Sequence, residues 1–273
     1  MRCYLRYLLV AGSVLLVTTA TMAQRRHVRD VVVVPEAQVE LALSGSDYVL
    51  IGFNLVTSPD GGSTFAAGQL RLGYEHFLNQ QWSIGATLRV LGGDNYSYGD
   101  FLGLDGNITP GVLVRHSGKI GAFNFGQRLG VEYATTFDVL GSDNENRALT
   151  RLRLDVDRVF PLGGKLAVRP RLAYEPVTYL RLQRDENDIK ERVIDFGNLR
   201  AEVGVRLSPH VDFTPWVASQ TYYINSLPQY DALGQQTGGG RTNLVTPTLG
   251  IDLRLTLFSG SSTTERYQLP TQH

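Results

Sequence analysis

From Gln24 onward the chain alternates apolar and polar residues with a period of two almost everywhere, and a 3.6-residue period is hard to find. Leu199, Ala201, Val203, Val205 and Leu207 interleave with Asn198, Arg200, Glu202, Gly204 and Arg206. Leu249, Ile251, Leu253, Leu255 and Leu257 interleave with Thr248, Gly250, Asp252, Arg254 and Thr256. Leu152, Leu154 and Val156 do the same with Arg151, Arg153, Asp155 and Asp157. Side chains on a strand alternate between its two faces, so each segment predicts a strand with one apolar and one charged face. Eleven strands can be placed, at 36–44, 47–57, 64–78, 82–92, 107–116, 119–138, 147–160, 165–182, 192–207, 211–225 and 242–258.

The connections between these strands fall into two kinds in strict alternation. Gly45-Ser46-Asp47, Asn79-Gln80-Gln81, Ser117-Gly118, Pro161-Leu162-Gly163-Gly164 and Ser208-Pro209-His210 read as short turns. Ser58–Ser63, Gly93–Asn107, Gly141–Asn146, Arg184–Glu191 and Ser226–Arg241 read as longer polar loops. Short turns on one rim and long loops on the other is the pattern of a transmembrane β-barrel. A soluble sandwich or lipocalin-like barrel also alternates. Many of these strands, however, exceed the five or six residues usual in globular sheets and reach the nine to eleven that a tilted membrane path needs. Aromatics gather near strand ends, as at Phe77 and Trp82, Phe160, and Tyr222-Tyr223, which resembles interfacial girdles. An Arg facing hydrocarbon near the midplane costs roughly 2–4 kcal/mol, so the Leu/Val faces must point outward.

Both termini of bacterial barrels normally lie in the periplasm, which requires an even strand count. Eleven leaves one missing, and His27–Val34 is the candidate, with Pro35-Glu36 as its turn. The expectation is an all-β chain forming a single antiparallel transmembrane barrel of about twelve strands, with ten as the alternative. Before it, residues 1–23 read as a cleaved signal peptide: Arg2 and Arg6, the apolar run Leu8–Val17, then Thr21-Met22-Ala23. That run is shorter than the roughly 20 residues of a spanning helix. The barrel is expected over 24–258 and a polar tail over 259–273.

Composition narrows the function classes. The 26 basic and 26 acidic residues balance and form no basic patch, which argues against nucleic acid as a partner. Lysine occurs only at Lys119, Lys165 and Lys190, so the cations are nearly all arginine, whose planar fork suits carboxylate partners. The one cysteine, Cys3, lies in the signal segment, leaving the mature chain no disulfide and no thiolate chemistry. The alternation places Arg71, Arg89, Arg128, Arg151, Arg153, Arg169, Arg171, Arg200, Arg206 and Arg254 in the lumen. With them fall Glu40, Glu75, Glu132, Asp155, Asp157, Glu175, Glu202 and Asp252. In a barrel only slightly wider than eight strands, such side chains would fill most of the space.

The last strand, Thr248-Leu249-Gly250-Ile251-Asp252-Leu253-Arg254-Leu255, resembles the C-terminal β-signal of outer-membrane proteins. Thr248, Gly250, Leu253 and Leu255 stand at its polar, Gly and two apolar positions. The resemblance implies recognition by the barrel-assembly machinery, although the chain continues past Phe258. The hairpins Leu70–Leu91 and Ala148–Tyr174 resemble those of an uncharacterised family of small bacterial outer-membrane barrels. The shared motifs are Leu72-Gly73-Tyr74, and Asn146-Arg147 followed by Arg151-Leu152-Arg153-Leu154. That resemblance implies fold and compartment only.

Candidate catalysis is confined to Arg115-His116-Ser117-Gly118, similar to the His and Ser of outer-membrane lipid hydrolases. Those enzymes need both side chains on one face so that His can deprotonate Ser, whereas adjacent residues in a strand face opposite ways. His27, His76, His210 and His273 show no metal spacing. Asp143-Asn144-Glu145-Asn146 and Asp185-Glu186-Asn187-Asp188 lack the twelve-residue calcium-loop pattern. Tyr96, Tyr98 and Phe101 could stack on a sugar or fold back over the barrel mouth. No cofactor is expected. The expected role is a non-enzymatic outer-membrane barrel in contact with outer-membrane lipid, either a narrow channel or a structural and surface-binding protein. The alternatives are a lipid-modifying hydrolase and a soluble secreted β-barrel binding protein.

Overall fold

Alternation alone makes each segment half apolar, and a strand of that kind must pair on both edges and place its two faces in different surroundings. The computed structural model, which describes residues 25–43, 46–57, 67–93, 106–136, 146–164, 166–180 and 192–259, meets both demands by closing one sheet on itself. In chain order the strands are β1 (Arg25–Val28), β2 (Val32–Ala42), β3 (Asp47–Val56), β4 (Ala67–Phe77) and β5 (Trp82–Gly93). They continue as β6 (Asn107–Ile120), β7 (Phe123–Thr136), β8 (Asn146–Asp157), β9 (Phe160–Gly163) and β10 (Leu166–Tyr179). The last are β11 (Phe196–Arg206), β12 (Val211–Tyr230) and β13 (Gln236–Phe258). Neighbours pair antiparallel from β2 to β13, except that β8 pairs directly with β10 and β9 hangs on β10 alone.

Closure runs through β13 and β2, which pair in parallel from Thr248↔Val32 to Phe258↔Ala42. The barrel therefore has eleven strands and a mixed sheet, not the expected twelve in a wholly antiparallel one. The physical reason lies in Val32–Val34. Their inward and outward phase runs on unbroken through Pro35 into Glu36, Gln38 and Glu40, so they begin β2 and do not form a separate strand. Pro35 only interrupts the β2–β3 ladder, between the Val33↔Thr57 bridge and Glu36↔Asn54, while the register against β13 continues past it. His27 belongs to β1, which extends the same parallel pairing along Thr242–Val245.

Three boundaries also move. Pro161–Gly163, expected as part of a turn, joins Phe160 in β9 and pairs with β10. Ser117-Gly118 is no turn: β6 runs on to Ile120, and Ile120↔Phe123 closes a two-residue hairpin at Gly121-Ala122. Gly121 has φ +62°, the left-handed conformation such tight hairpins require. Most of 226–241, expected as a loop, continues the β12–β13 ladder to Tyr230↔Gln236. The tip is closed by Asp231 Oδ1, which accepts from the Leu233 and Gln235 amides at 2.9 and 2.8 Å. By contrast Ser208 ends its hairpin at the expected turn, its hydroxyl accepting from His210 and Val211 amides.

The faces sort by chemistry. Leu152, Leu154, Val156, Leu199, Val203, Leu249, Ile251, Leu253 and Leu255 are exposed on the outer wall, while the charged residues between them are buried inside. The lumen itself is layered. At the long-loop end Val32, Val34, Val56, Ala67, Leu91 and Trp216 form one apolar cluster. Ala134, Leu149, Val177 and Phe196, with Tyr179 and Tyr222 against them, form another. At the short-turn end Ala42 and Tyr48 pack with Phe77 and Phe258. The charged residues occupy the belt between these clusters.

Candidate functional site

The belt is built from long arginines reaching past their nearest neighbours. Arg128 on β7 reaches over β8 to Glu175 on β10 at 2.6 Å, and Arg151 on β8 joins the same carboxylate at 3.2 Å. Arg151 also contacts Glu132 at 2.8 Å, and Arg89 on β5 meets Glu132 on β7 from the other side. That last contact crosses β6 where Gly111 stands, and a Cβ there would come within 2.7 Å of the Glu132 side chain.

A second web spans β8 to β13. Arg171 donates to Glu202 at 2.6 Å and lies 3.6 and 3.5 Å from Asp155 and Asp157. Asp157 is held at 2.6 Å by Arg169 and at 2.7 Å by the Asn124 amide. Arg200 bridges Glu202 at 2.7 Å and Asp252 at 2.8 Å, crossing β12 directly above Trp216. Its guanidinium carbon sits 3.9 Å from the Trp216 ring centroid, and the indole Nε1 donates to Asp252 at 2.7 Å. Gly250 makes room for that indole, because a Cβ at 250 would overlap it. Arg153, among the most deeply buried side chains, lies 3.9 Å from Asp155. Arg206 meets Asp212 at 3.1 Å nearer the short-turn rim.

Two smaller groups line the opposite wall. Arg71 contacts Glu36 at 2.6 Å, and Gln38 donates to the same carboxylate at 2.7 Å. Arg254 donates to Gln38 at 2.9 Å and lies 3.3 Å from Glu40, tying β13 to β2 across the parallel seam. Arg115 contacts Glu75 at 3.0 Å, and the Ser83 hydroxyl donates to Glu75. Beside the first group, on the long-loop side, a lumen cavity of about 80 Å³ is lined by Asn54, Gln69, Arg71, Arg89, Arg128 and Trp216 among others. A volume of that size has room for a few waters.

All eighteen lumen positions singled out from the sequence, from Glu40 to Arg254, point inward in the structure. Sequence reasoning left out Glu36, Gln38, Arg115, Asn124, Asp212 and Trp216, which complete the webs. Period-two parity already pointed to Arg115 and Asp212. Glu36 was lost to the supposed turn at Pro35, and Trp216 is an aromatic on a charged face. Of the C-terminal signal positions, Thr248 and Gly250 face inward, whereas Leu253 and Leu255 face outward.

His116 packs against Trp82 with the rings tilted by 47° and their centroids 4.6 Å apart, on the outer side of β6. Ser117, next along the strand, takes the opposite face with Arg115. Among the described residues no group of three His, Cys, Asp or Glu could hold a metal ion. Residues 1–23, expected as a signal peptide, together with Tyr96, Tyr98, Phe101, Asp143–Glu145, Asp185–Asp188 and the tail beyond Ser259, lie outside the described residues.

No family model matches the chain, so the likeness of its hairpins to a small-barrel family stays a resemblance. No curated protein matches it either. Among solved structures it is similar to one described as "NanC porin structure in rhombohedral crystal form", with 12% identity and a TM-score of 0.39 over 80% of this chain and 91% of that one.

Proposed function

We propose that this protein is a bacterial outer-membrane barrel acting as a narrow channel with little or no steady conductance, and that it carries no catalysis at His116 or Ser117. The observation that supports this most is the charged belt: Arg128–Glu175 and Arg200–Asp252 each reach across an intervening strand, and Arg171 joins three carboxylates. Bulk solute would have to break these contacts. The apolar clusters at the long-loop end of the belt add a second barrier, since a hydrophobic constriction excludes water and ions unless it widens. The outer wall supports the membrane placement, because its Leu, Ile, Val and Tyr side chains would otherwise meet water over a contiguous apolar surface far larger than soluble proteins expose. Lipid around the wall and the assembly machinery during insertion are the partners this reading needs.

The test is conductance in planar bilayers. The purified wild-type protein should give small or no steady current, and Arg153→Ala/Arg171→Ala should raise it by removing two guanidinium groups from the belt. Large stable steps from the wild-type protein would show an open interior and end the proposal.

A further inference from the structure

The outer wall is not smooth. Near the short-turn rim, β8, β10, β11 and β12 leave a shallow depression of about 690 Å³. Cross-strand register explains it. Ala201 stands opposite Leu172 on one side and Val217 on the other, so a one-carbon side chain lies between two large ones. One outward position nearer the rim, Pro170 stands opposite Val203 and Pro215 opposite Ile251, lowering the wall again. Phe123 and Phe160 form the rim-side lip. The result is an apolar slot running along β11, open to the outside.

Arg158 marks its end. This residue is exposed, and its guanidinium carbon lies 4.8 Å from the Phe160 ring centroid and 5.8 Å from that of Phe123. Its backbone amide is anchored on the Pro170 carbonyl at 3.3 Å. Among the described residues no carboxylate pairs with its side chain, unlike the arginines of the lumen. Two aromatic faces can hold a guanidinium in place while leaving its N–H fork open. That fork matches a phosphate with two parallel charge-assisted hydrogen bonds.

We infer that this slot binds one anionic glycerophospholipid of the leaflet at the short-turn rim, its phosphate on Arg158 and one acyl chain along Ala201 between Leu172 and Val217. The inference rests on the membrane placement proposed above. Charge complementarity selects the headgroup, and the slot selects a chain lying against the wall. Neutral lipid would gain the apolar contact without the ionic one.

The experiment is native mass spectrometry of the full chain released from detergent, titrated with dioleoylphosphatidylglycerol or with dioleoylglycerol, which lacks the phosphate. The wild-type protein should retain one phosphatidylglycerol and little diacylglycerol. Arg158→Ala should weaken retention by about tenfold, the scale of a lost charge-assisted hydrogen bond. Arg158→Lys should restore part of it, and Ala201→Trp, which fills the slot and leaves Arg158 in place, should weaken it comparably. Equal retention in wild type and Arg158→Ala, or in wild type and Ala201→Trp, overturns the site. Insertion of the wild-type protein into phosphatidylglycerol–phosphatidylcholine vesicles is scored in parallel by protease protection. Failure there sinks the membrane placement, whereas insertion with unselective lipid retention sinks the binding site alone.

Discussion

Trp216 shows how one residue couples the two chemistries of the lumen. Its ring joins the apolar collar at the long-loop end, while its Nε1 and its face engage Asp252 and Arg200 of the charged belt. Such a residue needs a floor without a side chain, and Gly250 is that floor. Gly250→Ala should push the indole off Asp252 and cost about 1–3 kcal/mol, the range for overpacking a filled interior. A lowered urea midpoint with a red-shifted tryptophan emission is the expected result; an unchanged midpoint would mean that the indole is seated elsewhere. The buried ion pairs around it stabilise less than their number suggests, because desolvation offsets much of their attraction. Their larger effect is to occupy space.

At the scale of elements, β13 carries most of the architecture: it pairs with β12 along its length and closes the barrel on β2. Its outward Leu253 and Leu255 stand at the two apolar positions of the resembled β-signal, and in the proposed membrane placement they would face lipid. Charge there opposes insertion by an amount that depends on depth, up to roughly 2–4 kcal/mol for an Arg at the midplane and less for Asp. Leu253→Asp/Leu255→Asp should therefore leave the protein uninserted in a membrane-fractionation assay, whereas truncation after Ser259 should insert normally. The opposite pattern would mean that the last strand lies elsewhere. The parallel seam makes a separate prediction. Ala37 and Leu253 are register partners, both outward, so the double variant Ala37→Cys/Leu253→Cys should form a disulfide on mild oxidation. More efficient cross-linking in Ala37→Cys/Leu249→Cys than in that variant would refute the register.

For the whole molecule, an odd number of strands has one consequence that no local feature reveals. The amino end of β2 lies at the long-loop rim and the carboxyl end of β13 at the short-turn rim. In the proposed outer-membrane placement, with the short turns in the periplasm, an epitope placed before Arg25 should be labelled by antibody on intact cells, and one placed after Ser259 only on permeabilised cells. Labelling of both, or of neither, on intact cells would demand an even count. The β12–β13 hairpin extends the same asymmetry, since its ladder continues past Tyr222, the last residue of β12 paired with β11, to the tip at Asp231.

The sequence by itself determined that the chain is a set of strands and which face of each meets which surroundings. A period of two is a local property, and the cost of turning Arg200 or Arg206 outward admits one answer per strand. It also determined most of the charged contents of the lumen, because inward parity follows from the same count. Only the tertiary structure decided how many strands close, and with what direction at the seam. That choice depends on pairing between Val32–Ala42 and Thr248–Phe258, segments from opposite ends of the barrel sequence whose alternation fits a parallel or an antiparallel neighbour equally well. The partners of each arginine were equally beyond local reading. A guanidinium can reach over one strand to the next, and whether Arg128 meets Glu175 or Glu132 depends on stagger around the closed wall. At Pro35 and at Ser117-Gly118 residue preference suggested turns, although the alternation runs on through Pro35. Continuous hydrogen-bonded ladders on neighbouring strands outweighed that preference, and the chain ran straight.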